Sequence, residues 1–141
     1  MIIDANVLLY AVDDTSRQHR TAKEFLEVHL NGDRRIGLPW QSLGAFLRIS
    51  THPRILGSPL SASAASTFVE DWLAAPATWV PDVTRSTWSI LRGLIEAGAV
   101  TGNLVPDAQL AALALEYGVP VVSADSDFAR FGGVEWVNPF G

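Results

Sequence analysis

Met1-Ile2-Ile3-Asp4-Ala5-Asn6-Val7-Leu8-Leu9-Tyr10 opens the chain and sets its architecture. Three apolar residues, two of them β-branched, read as a short buried strand that ends on a carboxylate. Val7-Leu8-Leu9 then opens a short helix. A strand running straight into a helix predicts an α/β fold, and the rest of the chain repeats the alternation. Further short strands are expected at Arg35–Leu38, Thr78–Val80, Val119–Ser123 and, as a final edge, Val134–Val137. Helices are expected between them at about Arg17–Leu30, Trp40–Ser50, from Ser61 to a break at Pro76, from Thr84 to about Ala97, and from Pro106 to Tyr117. Their apolar residues fall at helical spacing, as in Ala22, Phe25, Leu26 and Leu30. Leu43, Phe46, Leu47 and Ile49 form the next such face, followed by Phe68, Val69, Trp72 and Leu73, and by Trp88, Leu91 and Ile95. Ser61 and Thr84 stand where N-caps belong, Pro106 where the first turn tolerates proline, and Gly118 where a helix stops. Residues 51–59 read as a loop.

Composition narrows the function. A chain of 141 residues with 48% hydrophobic content suits one domain with a substantial core. No stretch approaches the about 18 uncharged apolar residues of a membrane span. The N-terminus lacks the basic and apolar regions of a signal peptide. Cysteine is absent, which excludes disulfides and thiolate metal sites, and a cytoplasmic protein fits best. The net charge of −5 argues against a protein held to nucleic acid by basic patches alone. An RNA substrate would need bound divalent cations to reverse the local sign. Nine of the ten basic residues are Arg, the better phosphate fork, although codon bias explains that equally well.

The chemistry is concentrated in aspartates. Asp4 ends the first strand, and in open α/β sheets sites form at the carboxyl ends of strands. Taken alone, capping the next helix is the plainer role for it. Asp107 opens a helix whose line at i+3, i+4 and i+7 is Leu110, Ala111 and Ala114. A charge on that stripe must be paired, hydrogen-bonded or metal-bound, or else complement the helix dipole. Asp125 and Asp127 follow a third strand end, Val121-Val122-Ser123, where turn chemistry also favours Asp. Taken together, carboxylates recurring at strand ends suit Mg²⁺, which takes oxygen ligands along with waters and substrate phosphates.

These blocks, in their order and spacing, resemble the PIN-domain ribonucleases, and specifically the VapC toxins of toxin–antitoxin pairs. The matching stretches are Ile2–Tyr10, Pro106-Asp107-Ala108 with Ala111–Ala114 and Tyr117-Gly118, and Val121–Phe128. The resemblance covers essentially the whole chain, 1–141, as one nuclease domain. It implies a Rossmann-like, three-layer α/β/α fold with a central parallel sheet, and endonucleolytic RNA cleavage dependent on Mg²⁺ or Mn²⁺. Asp4 and Asp107 match the principal metal ligands, Asp125 a further C-terminal acid, and Asp127 a less regular one. Asn6 and Ser123 match polar positions that orient the site. The resemblance also implies a homodimer and a VapB-like antitoxin whose cationic tail covers the acidic cleft.

One departure stands out. The family pattern carries a Glu on the helix after the second strand, where this chain reads Leu43-Gly44-Ala45-Phe46-Leu47-Arg48. Ala45 holds that position and cannot bind metal. Gln41, at i−4, is the nearest neutral stand-in. The site is therefore expected to be charge-poor, binding metal more weakly or holding one ion rather than two. The stretch Ile49–Arg54 resembles a VapC subgroup that lacks this Glu.

Arg48, His52 and Arg54 are candidate RNA contacts, against the plainer roles of ion pair, loop cap or surface residue. His19 and His29 read as exposed helix residues, and the five tryptophans mostly as core or interface. Two other classes place Asp at strand ends, phosphoaspartate receivers and haloacid-dehalogenase-like phosphatases. The second needs an acid at position 6, which is Asn, and both need a late Lys, whereas the only one is Lys23. A module that binds RNA or antitoxin without efficient cleavage is the remaining alternative.

Overall fold

Asp4 starts the first helix. In the computed structural model, which describes residues 1–55 and 58–141, its side chain accepts a hydrogen bond from the Ala5 amide, and helix α1 runs over Ala5–Val12. That start is two residues earlier than Val7, because the capping carboxylate satisfies a first-turn amide. The strand before it, β1, is Ile2–Ile3. The chain continues through α2 (His19–Leu30), β2 (Ile36–Gly37), α3 (Trp40–Ser50), α4 (Ala62–Ala74), β3 (Thr78–Trp79) and α5 (Arg85–Gly98). It ends with α6 (Val105–Tyr117), β4 (Val121–Val122), a 3-10 turn at Ser126–Arg130 and β5 (Trp136–Val137). Within the 51–59 loop, Leu56 and Gly57 lie outside the described residues.

All five strands are parallel and lie in the order β3-β2-β1-β4-β5, so the predicted last strand is an edge. Each pairs over two residues only, so the helices supply most of the packing. Ile2 and Ile3 point to opposite faces, as neighbours in a strand must, and they divide the core in two. Ile3 and Val122 pack with Leu8, Leu26, Leu38 and Phe46 beneath α1–α4. Ile2 and Val121 pack with Leu110, Ala111 and Phe128 on the α6 side, with Leu91 and Ile95 of α5 against them. The result is a helix–sheet–helix sandwich.

Topology places the site. From β1 the chain steps outward to β2 and β3, then returns to β4 on the other side of β1. The carboxyl ends of β1 and β4 therefore face a crevice at the switch point. Asp4 follows β1 and Ser123 follows β4, and the Asp4 amide donates to the Val122 carbonyl at 3.0 Å.

Two helix faces differ from expectation. Trp88 is 56% exposed, although it shares the spacing of Leu91 and Ile95. Thr87 is buried instead, its hydroxyl donating to Glu116 of α6. Thr84, the N-cap of α5, also donates to Glu116 at 3.2 Å. This clamp turns Thr87 inward and Trp88 out. Phe68 of α4 lies at the edge of its face, beside the buried Trp72.

Candidate metal centre

Ser123, fully buried, holds the floor of the crevice together. Its hydroxyl donates to Asp4 Oδ2 at 2.7 Å and accepts from Asn6 Nδ2 and the Asp125 amide, each at 3.0 Å. One donor and two acceptors exhaust a hydroxyl, so this group is fixed. Asn6 also donates to Asp4 Oδ2 at 3.2 Å and accepts from the Ala124 amide at 3.1 Å. It thereby joins the start of α1 to the end of β4. Asn6 and Ser123 thus both hydrogen-bond to Asp4 Oδ2.

Asp4 accepts three hydrogen bonds, from the Ala5 amide at 2.7 Å, Asn6 and Ser123. A carboxylate offers about four lone-pair sites, so one remains. The capping role and a ligand role are thus compatible in the same residue. Burial pushes its carboxyl above the usual Asp range, and the nearby Asp125 charge adds to this. The bonds from Ser123 and Ala5 work against it.

Asp107 lies in the first turn of α6, above the buried Leu110, Ala111 and Ala114. Its carboxyl is pushed up to about 7, first by desolvation and then by the charges of Asp125, Asp4 and Asp127. Oxygens of Asp107, Asp125 and Asp127 lie within 4.8 Å of one another, the spacing of groups able to share a cation. Asp125 caps the 3-10 turn, accepting from the Asp127 amide at 2.9 Å. Asp127 also pairs with Arg130 at 3.2 Å, which partly neutralises it.

The tight triplet thus includes Asp127, while Asp4, held by its capping bond and by Ser123, stands outside it. Asp4 remains close enough for its charge to act on Asp107. The donor set fits a hard divalent cation, being oxygens without nitrogen or sulfur. Its own repulsion is what such an ion would relieve.

Beside the acids runs a cleft of about 440 Å³, with Asp4 and Asp107 on one side and Trp40, Gly44, Ala45 and Arg48 of α3 on the other. Ala45 lines it as expected and offers no ligand. Gln41 lines it too, but its amide nitrogen donates to the Pro106 carbonyl at 2.8 Å. A carbonyl can only accept, so the nitrogen must face it. Gln41 therefore tethers α3 to α6 one residue before Asp107. His52 and Arg54 lie off the cleft, where the Arg54 amide donates to His52 Nδ1 at 3.0 Å and closes a turn. His19 and His29 are half-buried, with each Nδ1 against a backbone carbonyl.

Three supporting residues escape a sequence reading. Ser42, almost fully buried, donates to the Ile3 carbonyl at 2.7 Å and fastens α3 to β1. A polar residue on the stripe that carries Phe46 was its signal. Arg130 stands at i+3 from Asp127, a spacing that pairs charges. Trp136 sends its indole N–H to the Ser123 carbonyl at 2.9 Å, across from β5, and nothing local announces that bond.

Residues 1–134 match the family described as the PIN domain. The chain belongs to the PIN-domain family. Within it the chain groups with the VapC ribonucleases. It is 45% identical over 138 residues to Ribonuclease VapC37 of Mycobacterium tuberculosis, covering 98% of this chain and 96% of the relative. It is 38% identical to Ribonuclease VapC33 of the same species, over 99% and 97% of the two chains. The fold is shared at lower identity with a chain of VapBC2 from Rickettsia felis (TM-score 0.70, 15% identity, 97% and 96% covered). A toxin–antitoxin complex from Klebsiella pneumoniae is similar (TM-score 0.64, 17% identity, 98% and 96% covered). PIN membership agrees with the central parallel sheet and the acids at its switch point.

Proposed function

We propose that this VapC-type chain is a Mg²⁺-dependent endoribonuclease, the toxin of a toxin–antitoxin pair, acting in the cytoplasm with residues 1–141 as one nuclease unit. The observation that carries the reading is the convergence of Asp107, Asp125 and Asp127 beside Asp4, at the carboxyl ends of β1 and β4. The relatives named above as ribonucleases support the substrate class.

Asp4, Asp107 and Asp125 would hold the ion, with Asp127 as a supplement and Mn²⁺ as a substitute. When bound, such an ion activates water and stabilises negative charge on a phosphodiester. The chain's own residues prepare for it. Ser123 and Asn6 keep Asp4 in one orientation. Gln41 holds the start of α6, and with it Asp107. Arg130 takes part of the Asp127 charge, leaving the site less repulsive towards phosphate.

An antitoxin partner is supported by the assemblies in which the structural neighbours occur, VapBC2 and a toxin–antitoxin complex. It would cover the acidic cleft with a cationic tail. A groove of about 430 Å³ between α2 and α4, lined by Leu26, Phe68 and Trp72, offers further apolar contact. A homodimer is supported by the exposed Val83 and Trp88 at the start of α5. Incubating a panel of structured RNAs with Mg²⁺ or Mn²⁺, and in parallel with EDTA, tests the activity. Cleavage that needs the metal and is lost in Asp4→Asn supports it. RNA retained intact but bound would favour the binding module.

A further inference from the structure

One wall of the cleft is built unlike the other. Asp4 and Asp107 face α3, whose lining residues are Trp40, Gly44, Ala45 and Arg48. Trp40, Gly44 and Arg48 recur at i, i+4 and i+8, so they lie along one side of the helix. Trp40 is 65% exposed, among the most open large apolar residues of the protein. A Cβ added at Gly44 would meet nothing within 4 Å. Arg48 is exposed and makes no ion pair among the described residues. It is also the one basic side chain lining this cleft, in a chain whose net charge is −5.

We propose that this side of α3 is the docking wall for single-stranded RNA. Trp40 stacks on a base at one end, the bare Gly44–Ala45 stretch admits the sugar–phosphate chain, and Arg48 takes a phosphate at the other. Eight helical residues span about 12 Å, room for the nucleotides flanking a phosphate presented to the acids. Aromatic stacking and an isolated cation are the two elements with which single strands are held without reading sequence. An acidic protein needs such a cation close to its site. Trp40 and Arg48 in this scheme touch the substrate directly, and the small Gly44 and Ala45 between them leave room for it.

The proposal rests on the ribonuclease reading, and the test separates the two. Binding of a fluorescein-labelled, random-sequence single-stranded RNA 12-mer is measured in EDTA, and cleavage of the same pool in Mg²⁺. Trp40→Ala and Arg48→Ala are each expected to weaken binding about tenfold and raise KM by a similar factor, with kcat within twofold. Trp40→Phe restores most of the affinity. Arg48→Ala lowers the salt slope of binding by about 0.7, one phosphate's worth for a single strand, and Arg48→Lys restores it. An unmodified protein that binds this RNA but leaves it intact in Mg²⁺ and in Mn²⁺ contradicts the ribonuclease reading and leaves the variants' binding to decide the wall. Unchanged affinity in both Ala variants overturns the wall even where cleavage is intact. So does a Trp40→Ala variant whose oligomeric state changes in size-exclusion chromatography while RNA affinity does not, since Trp40 then serves a contact between copies.

Discussion

Asp107 concentrates the electrostatic cost of the site. Its carboxyl, ordinarily deprotonated near 3.8, is pushed up to about 7 by burial and three acidic neighbours. Between those values the folded chain keeps a proton that the unfolded chain has lost. The metal-free fold therefore loses stability as pH rises from about 4 to 7, and the penalty is constant above that. Asp107→Asn removes it. In EDTA at pH 8 the variant is expected to melt about 3 °C above the parent, reflecting about 1 kcal/mol, a figure kept small because the half-buried carboxyl is screened by solvent. Mg²⁺ should raise the parent's melting temperature and leave the variant's unchanged. Because the ion competes with a proton, Mg²⁺ affinity measured by calorimetry should fall about tenfold per pH unit below pH 7. Affinity that stays flat from pH 5.5 to 8 would contradict a ligand role for Asp107. The sequence marked this residue through its buried stripe, Leu110, Ala111 and Ala114. It could not show that Asp127 would join Asp107 and Asp125 in one tight triplet, because that depends on the turn Asp125 caps.

At the scale of elements, α3 and the β1–β2 pair carry most of the consequences. Helix α3 matches its expected span, Trp40–Ser50, because its apolar spacing and Pro39 before it act locally. Its role depended on long-range contacts that no local pattern announces, such as Ser42 to Ile3 and Gln41 to Pro106. Ala45→Glu places a carboxylate on the cleft wall facing Asp4 and Asp107. It should strengthen Mn²⁺ binding about tenfold, or add a second site to the titration. Two tight sites in the parent would refute a charge-poor centre. In β2, a Cβ at Gly37 would lie 2.6 Å from Ile2 Cδ1, 3.0 Å from the Met1 carbonyl oxygen and 3.3 Å from Trp79. Ile2 is fully buried and the carbonyl is backbone, so neither yields easily. Gly37→Ala should cost about 1–3 kcal/mol in urea unfolding and weaken metal binding as β1 shifts under Asp4. For α5, the spacing of Trp88, Leu91 and Ile95 located the helix correctly. Its rotation was decided by Glu116, 29 residues from Thr87, which no periodicity within the helix reveals.

At the scale of the molecule, sheet order decides where chemistry can occur. The order β3-β2-β1-β4-β5 brings residues 4 and 123 side by side and sets α6 above them. Strand ends bearing acids were legible because each strand was short, apolar and followed within three residues by Asp. Their convergence rests on the parallel pairing of β1 with β4, across more than a hundred residues. The fold thus assembles a repulsive group of carboxylates that gains most from a bound cation. The most direct test is a crystal soaked in Mn²⁺ and measured for anomalous scattering. An anomalous peak within coordination distance of Asp107 and Asp125, with Asp4 or Asp127 completing the protein ligands, is the predicted result. A map with no peak there, at Mn²⁺ concentrations that support RNA cleavage, would contradict the assignment of these aspartates as the metal centre.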